Sequence, residues 1–166
     1  MAEKTVQGYR VSIQKSIEQV VQVCKSLPEE VILWKPSEEE WSILQILSHI
    51  NEAVPYWLNE VKRVIENPGS EWGRGLQDEK RLAAVTNTAS LSVESTLKAV
   101  EGLEGKVLTE LSQLTEEQLI IESPHRNFAK FGNKPVSFII GHFIDEHLEG
   151  HLQQIQRNLS KVEKVK

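Results

Sequence analysis

Four stretches of this sequence carry apolar residues at three- and four-residue steps, while strand-like alternation is scarce. A period near 3.6 places those side chains on one face of a helix, and each such face needs a partner surface. The pattern predicts an all-α fold, a four-helix bundle. The first helix spans about 6–26, with Ile13, Ile17, Val20, Val21, Cys24 and Leu27 on its stripe and Pro28 as its stop. The second runs over about 42–66. Ser42 and Gln45 fit a capping box there, with Trp41 and Ile46 placed as a hydrophobic staple. Its stripe continues through Ile43, Leu47, Ile50, Val54, Trp57, Val61 and Ile65, and Pro55 inside it predicts a bend near Asn51. The third covers about 90–114, with Val93, Leu97, Val100, Val107, Leu111 and Leu114 on its stripe, and is weakened by Gly102 and Gly105. The fourth opens at Pro135 and runs to about Leu159, followed by a lysine-rich frayed tail.

Two irregular regions separate these helices. The one at 68–88, with Gly69, Trp72, Gly73 and Gly75, is too long for a tight turn and suits a long crossover connection between the second and third helices. The other covers 115–134. Residues 27–33 (LPEEVIL) and 114–120 (LTEEQLI) echo each other, each after one helix and before another. The length of 166 residues predicts one domain over 1–166, with its core over about 6–159.

Composition excludes several functions. Lys and Arg total 19 against 24 Asp and Glu, a net charge of −5, so no basic face for nucleic acid or an anionic membrane is expected. The one cysteine, Cys24, excludes an internal disulfide framework and a multi-cysteine zinc site. Its place on an apolar stripe marks an inert core thiol. No apolar run is long enough to span a bilayer and the first ten residues lack a signal-peptide core, so a cytoplasmic location is expected.

The histidines carry the chemistry. On a helical wheel of about 100° per residue, Ile140, Ile144, Leu148, Leu152, Ile155 and Leu159 share an arc. His147 and His151 fall at its edge, and His142 falls opposite, toward solvent. Side chains at i and i+4 stand about 5–6 Å apart, so the two imidazoles can meet on one metal ion. His49, on the flank of the second helix's stripe, is the candidate third ligand. The alternative is that all three are hydrogen-bonded packing residues. His147-Leu148-Glu149-Gly150-His151 is not H-E-x-x-H: Glu149 is one position late, points away and cannot serve as general base.

Trp41-Ser42-Ile43-Leu44-Gln45-Ile46-Leu47-Ser48-His49 and His147-Leu148-Glu149-Gly150-His151-Leu152-Gln153-Gln154-Ile155 together resemble the tryptophan-to-histidine and H-x-x-x-H motifs of the DinB-like (DinB/YfiT) superfamily of four-helix bundles. The resemblance covers nearly the whole chain. It implies a metal triad of His49, His147 and His151 holding a divalent ion, most often zinc or nickel, with water in the open positions. It also implies a small-molecule substrate. Family activities include S-transfer from a low-molecular-weight thiol such as bacillithiol to an electrophile, mycothiol-dependent isomerisation and hydrolysis. A homodimer is implied as well.

A metal held by three neutral imidazoles keeps its charge and lowers the pKa of a bound water or thiol. The leading expectation is a metal-dependent thiol S-transferase. The alternatives are a metal-dependent hydrolase, a non-catalytic metal-binding or stress-related interaction module, and a bundle whose histidines only pack. Among neighbouring residues, Glu52, one turn past His49, reads as a solvated helix-face glutamate, a hydrogen-bond acceptor behind the ligands or a proton carrier, and Glu104 lies harmlessly near the third helix's stripe. Arg126 and Lys130 in the 125–132 segment are surface charge or a landing place for an anionic substrate. Trp57 is core or a cleft wall, and Trp72 lines a pocket or a dimer contact.

Overall fold

A computed structural model describes residues 4–165. Its long helices are α1 (Val6–Lys25), α3 (Ile43–Glu66), α5 (Val93–Ser112) and α8 (Glu146–Val165). Between them lie α2 (Glu29–Leu33), α4 (Glu79–Thr86), β1 (Glu122–Pro124), α6 (Phe128–Phe131), β2 (Asn133–Pro135) and α7 (Val136–Ile140).

Three of the four long helices start where a side chain takes an orphan backbone N–H, and α8 instead continues from the turn before it. Thr5, Ser42 and Ser92 cap α1, α3 and α5, and at α3 the Gln45 side chain returns the bond to Ser42, completing the capping box. The predicted stripes are the buried ones: Ile13, Ile17 and Val20 on α1, Ile43, Ile46 and Leu47 on α3, Val100, Val107 and Leu111 on α5. The helix α3 passes through Pro55 as one continuous element. Proline there frees the Asn51 carbonyl, while the Asn51 side chain reaches across to the Thr96 carbonyl on α5, at 3.0 Å.

Around the bundle the neighbours are α1 with α5, α5 with α3, α3 with the last helix, and the last helix with α1. The first two long helices therefore sit on a diagonal. Asn51 meets the start of α5, and Lys62 to Glu66 line a groove with the end of α5, so α3 and α5 run parallel. The segment between them returns the full length of the bundle. The helix α4 within it packs on the first turns of α3, where Gln45 and Ser48 donate to the carbonyls of Val85 and Ala84. This stretch, irregular by its sequence pattern, thus holds a helix of its own. Asp78 is its N-cap, accepting from the Arg81 N–H.

The two echoing heptads both form a short helical turn at a diagonal connection: α2, burying Val31 and Ile32, and a 3₁₀ turn at Glu117–Ile120, burying Leu119. The region after it is more ordered than its sequence suggests. β1 and β2 pair antiparallel with Ser123 opposite Lys134. Trp72 joins them, its indole donating to the Ser123 carbonyl. It is 1% exposed. Trp72 therefore serves neither a pocket wall nor a dimer contact.

The predicted fourth helix differs in two respects. It is interrupted by a π turn at Gly141–Asp145, and it continues to Val165 rather than fraying after Leu159. Val162 is buried on the added length, and Asn158, just before it, is buried and donates to the Trp41 carbonyl. No helix among the described residues is long and apolar enough to cross a membrane.

Candidate metal centre

His49 projects from the second turn of α3, and His147 and His151 from the first two turns of α8, the antiparallel neighbour. The Nε2 atoms converge: His49 to His147 is 3.4 Å and His147 to His151 is 2.8 Å. One ligand atom from each of the three lies within 4.8 Å of the others, a group that can hold a metal ion. Metal–nitrogen bonds of about 2.0–2.1 Å with tetrahedral angles set ligand atoms about 3.3 Å apart. The first spacing fits, and the second needs to open by about half an ångström.

The far ring nitrogens show which protons are in place. His147 Nδ1 lies 3.2 Å from the Phe143 carbonyl, which can only accept, so the proton sits on Nδ1 and Nε2 carries a lone pair. His151 Nδ1 lies 2.9 Å from Gln154 Oε1 and takes the same form. Such outer hydrogen bonds are the usual support of a metal-binding imidazole. His49 Nδ1 is buried without a partner. Its ring is held by packing instead, 5.2 Å from the Trp41 ring, which also stacks over His151 at 6.3 Å.

All three imidazoles favour the neutral form that a ligand requires. Burial pushes His49 down to about 2, helped by the neighbouring His151 and His147. Burial and then His151 push His147 down to about 4. Burial also lowers His151.

The centre opens on a cleft of about 400 Å³. Trp57 and Phe143 form one wall, stacked with ring centroids 4.2 Å apart, and Leu76 forms a lip. Trp57 is thus both core and cleft wall. Gln154, Glu146 and His142 line the side of the last helix. His142 is exposed, as its wheel position predicts, yet its ring stands at the cleft rim, because the π turn breaks the uniform wheel there. Its Nδ1 pairs with Glu146 at 3.1 Å. Glu149 is exposed and absent from the cleft lining.

The cationic side of the cleft differs from the sequence expectation. Arg126 and Lys130 are exposed and do not line it; Arg74 and Arg81, from the segment between α3 and α5, do. Glu52 is not a free solvated helix-face carboxylate: it accepts from both outer nitrogens of Arg74, at 2.7 and 2.5 Å. Asp78 adds a third contact, and the Arg74 guanidinium lies 3.9 Å from the Tyr56 ring centroid. Sequence reasoning missed both arginines. The available signal was Asp78 preceding Glu79 and an apolar run, the mark of a helix start. Glu104 lies away from the cleft, accepting from Gln14 on α1. Cys24 is 1% exposed, with burial pushing its thiol up to about 12, so it stays protonated and inert.

Comparison with known proteins agrees with the fold. YfiT from Bacillus subtilis, described as a probable metal-dependent hydrolase with an unusual four-helix bundle topology, superposes with a TM-score of 0.74 at 13% identity, covering 96% of this chain and 90% of its own. An uncharacterised protein from Escherichia coli UTI89 superposes with a TM-score of 0.62 at 12% identity, covering 96% of each chain. No curated protein sequence matches. The family model of the DinB superfamily matches residues 12–155, most of the chain, and the chain therefore belongs to that superfamily.

Proposed function

We propose that His49, His147 and His151 together bind one divalent metal ion, zinc or nickel, and that the protein is a metal-dependent enzyme joining a small thiol to an electrophile in the adjoining cleft. The observation that carries this reading is the convergence of three neutral imidazoles, two with their outer N–H groups anchored, at the floor of an open cleft. When bound, such a cation lowers the pKa of a thiol or water ligand toward neutrality. As neutral ligands the histidines leave its charge uncompensated. Trp57 and Phe143 supply an apolar wall that keeps bulk water from one side of the reactants.

The choice of a thiol rests on the lack of a buried base. Among the described residues Glu146 is the one carboxylate lining the cleft; it is exposed at the rim and already paired with His142. A nucleophile that ionises easily suits such a site better than one needing a strong base. Hydrolysis is the second reading, favoured by the description of YfiT and by the Glu146–His142 pair as an acceptor for a water proton. A homodimer in the cytoplasm belongs to the same proposal.

The test is metal analysis of untagged protein, followed by turnover of a thiol panel with an electrophilic dye, with and without chelator. One metal per chain and chelator-sensitive thiol conjugation support the proposal. Chelator-sensitive ester cleavage without thiol favours hydrolysis. Protein that takes up no metal overturns both.

A further inference from the structure

The cleft contains two arginines with opposite electrostatic status. Arg74 is neutralised: Glu52 and Asp78 take its donors and Tyr56 covers its face. Arg81 has no carboxylate partner among the described residues. Its one side-chain bond runs from Nη1 to the Leu76 carbonyl, at 3.1 Å. That bond fixes the guanidinium and leaves the Nε–Nη2 edge, whose two parallel N–H groups match the two oxygens of a carboxylate.

The position of this charge needs explaining. Arg81 lines the same cleft as His49, His147 and His151, where its charge opposes a further positive charge. An unpaired arginine beside a cation site weakens that site. Glu146 does not compensate it, being exposed and bound by His142. An anion lodged in the cleft removes the repulsion and satisfies the free guanidinium edge at once. The rest of the lining, Trp57, Phe143 and Leu76, accepts an apolar body.

We propose that Arg81 is the anion-recognising residue of the cleft, so that the substrate carries a carboxylate on an apolar body, with its reacting atom directed to the three histidines. The inference rests on the metal-dependent reading above and specifies its substrate class. Linkage makes it quantitative: if anion and metal each relieve the other's repulsion, each raises the other's affinity by the same factor.

The test uses the full chain, with benzoate as probe and benzamide as its neutral counterpart. Metal affinity is read by chelator competition and probe binding by calorimetry. In the wild type, benzoate binds about tenfold or more tightly than benzamide, as loss of a charge-assisted hydrogen bond predicts, and it tightens metal binding. Arg81→Met removes both effects and by itself tightens metal binding. Arg81→Lys, with the charge but not the fork, is intermediate, and Arg126→Met matches the wild type. Equal benzoate affinity in wild type and Arg81→Met overturns the inference, since the carboxylate then sits on the metal alone, as does benzamide binding as well as benzoate. If no metal binds, the functional proposal fails, and the inference is then decided by the Arg81 Nε–H resonance of the metal-free wild type. A benzoate-induced shift that benzamide does not reproduce supports it, and no shift overturns it.

Discussion

His147 and His151 stand one helical turn apart with their Nε2 atoms 2.8 Å from each other, closer than two ligands of one tetrahedral ion and close enough for a hydrogen bond. Because His147 Nδ1 holds its proton against the Phe143 carbonyl, His147 Nε2 can only accept in the neutral state. His151 Nδ1 holds its proton against Gln154 Oε1 in the same way, so two Nε2 lone pairs face each other across this gap, an arrangement that a shared cation would relieve.

Removing either ligand should therefore abolish stoichiometric metal. His147→Ala and His49→Ala are expected to drop metal content from one per chain to near zero by elemental analysis. His142→Ala and Glu149→Gln, at the rim and on the exposed face, should retain it. Equal loss in His142→Ala would mean that the rim histidine is a ligand.

Trp41 supports the centre without offering a ligand atom. Its ring packs on His49, whose Nδ1 has no hydrogen bond to orient it, and on His151. Trp41→Ala should weaken metal affinity by about tenfold, the low end for supporting groups, while Trp41→Phe retains most of it. Chelator competition measures both.

Glu60 ties the returning segment to α3. It is 6% exposed and accepts from Arg63, from Tyr56 and from the Gly73 N–H next to Arg74. Burial alone would raise its pKa, but these donors, led by Arg63, hold it below the usual glutamate value. The unfolded chain then binds the proton more tightly, so the contribution is complete above the unfolded pKa and is lost as pH falls through the folded one. Glu60→Gln should cost about 1–3 kcal/mol in urea denaturation at pH 7. The difference from wild type should shrink as pH falls below the usual glutamate range.

Gly73 and Gly69 provide a matched pair. Both have positive φ, +95° and +91°. A Cβ on Gly73 would lie 2.5 Å from His125 Nε2, whereas one on Gly69 meets nothing within 4 Å. Gly69→Ala should cost about 1–2 kcal/mol from backbone conformation alone. Gly73→Ala should cost visibly more, because His125 is 4% exposed and has no room to retreat. Thermal denaturation of the two variants separates clash from strain.

Gly102 lies within α5 with open space where a Cβ would go. Gly102→Ala should raise stability by about 0.5–1 kcal/mol, read as an increase in denaturation midpoint.

The parts of this molecule governed by local rules were readable from residue order. Ser42 and Gln45 cap α3 as their types require, the stripes on α1, α3 and α5 are buried, and the four-residue spacing of His147 and His151 brings their rings together. What escaped depended on distant partners. Trp72 is buried because β1 comes to meet it, and Glu52 is paired because a segment 22 residues later delivers Arg74. The π turn at Gly141–Asp145 leaves no periodic trace, since one altered turn shifts the wheel without changing which residues are apolar. The helix α4 was obscured by its glycine-rich approach, although Asp78 marked its start.

Gathering His49 and His147 across 98 positions has a consequence for the chain as it is made. Until the final helix leaves the ribosome, a nascent polypeptide presents a single imidazole of this set and has no means of capturing an ion there. If the three histidines hold an ion as proposed, its uptake reports completed synthesis and docking, and a product truncated ahead of residue 147 lacks the site.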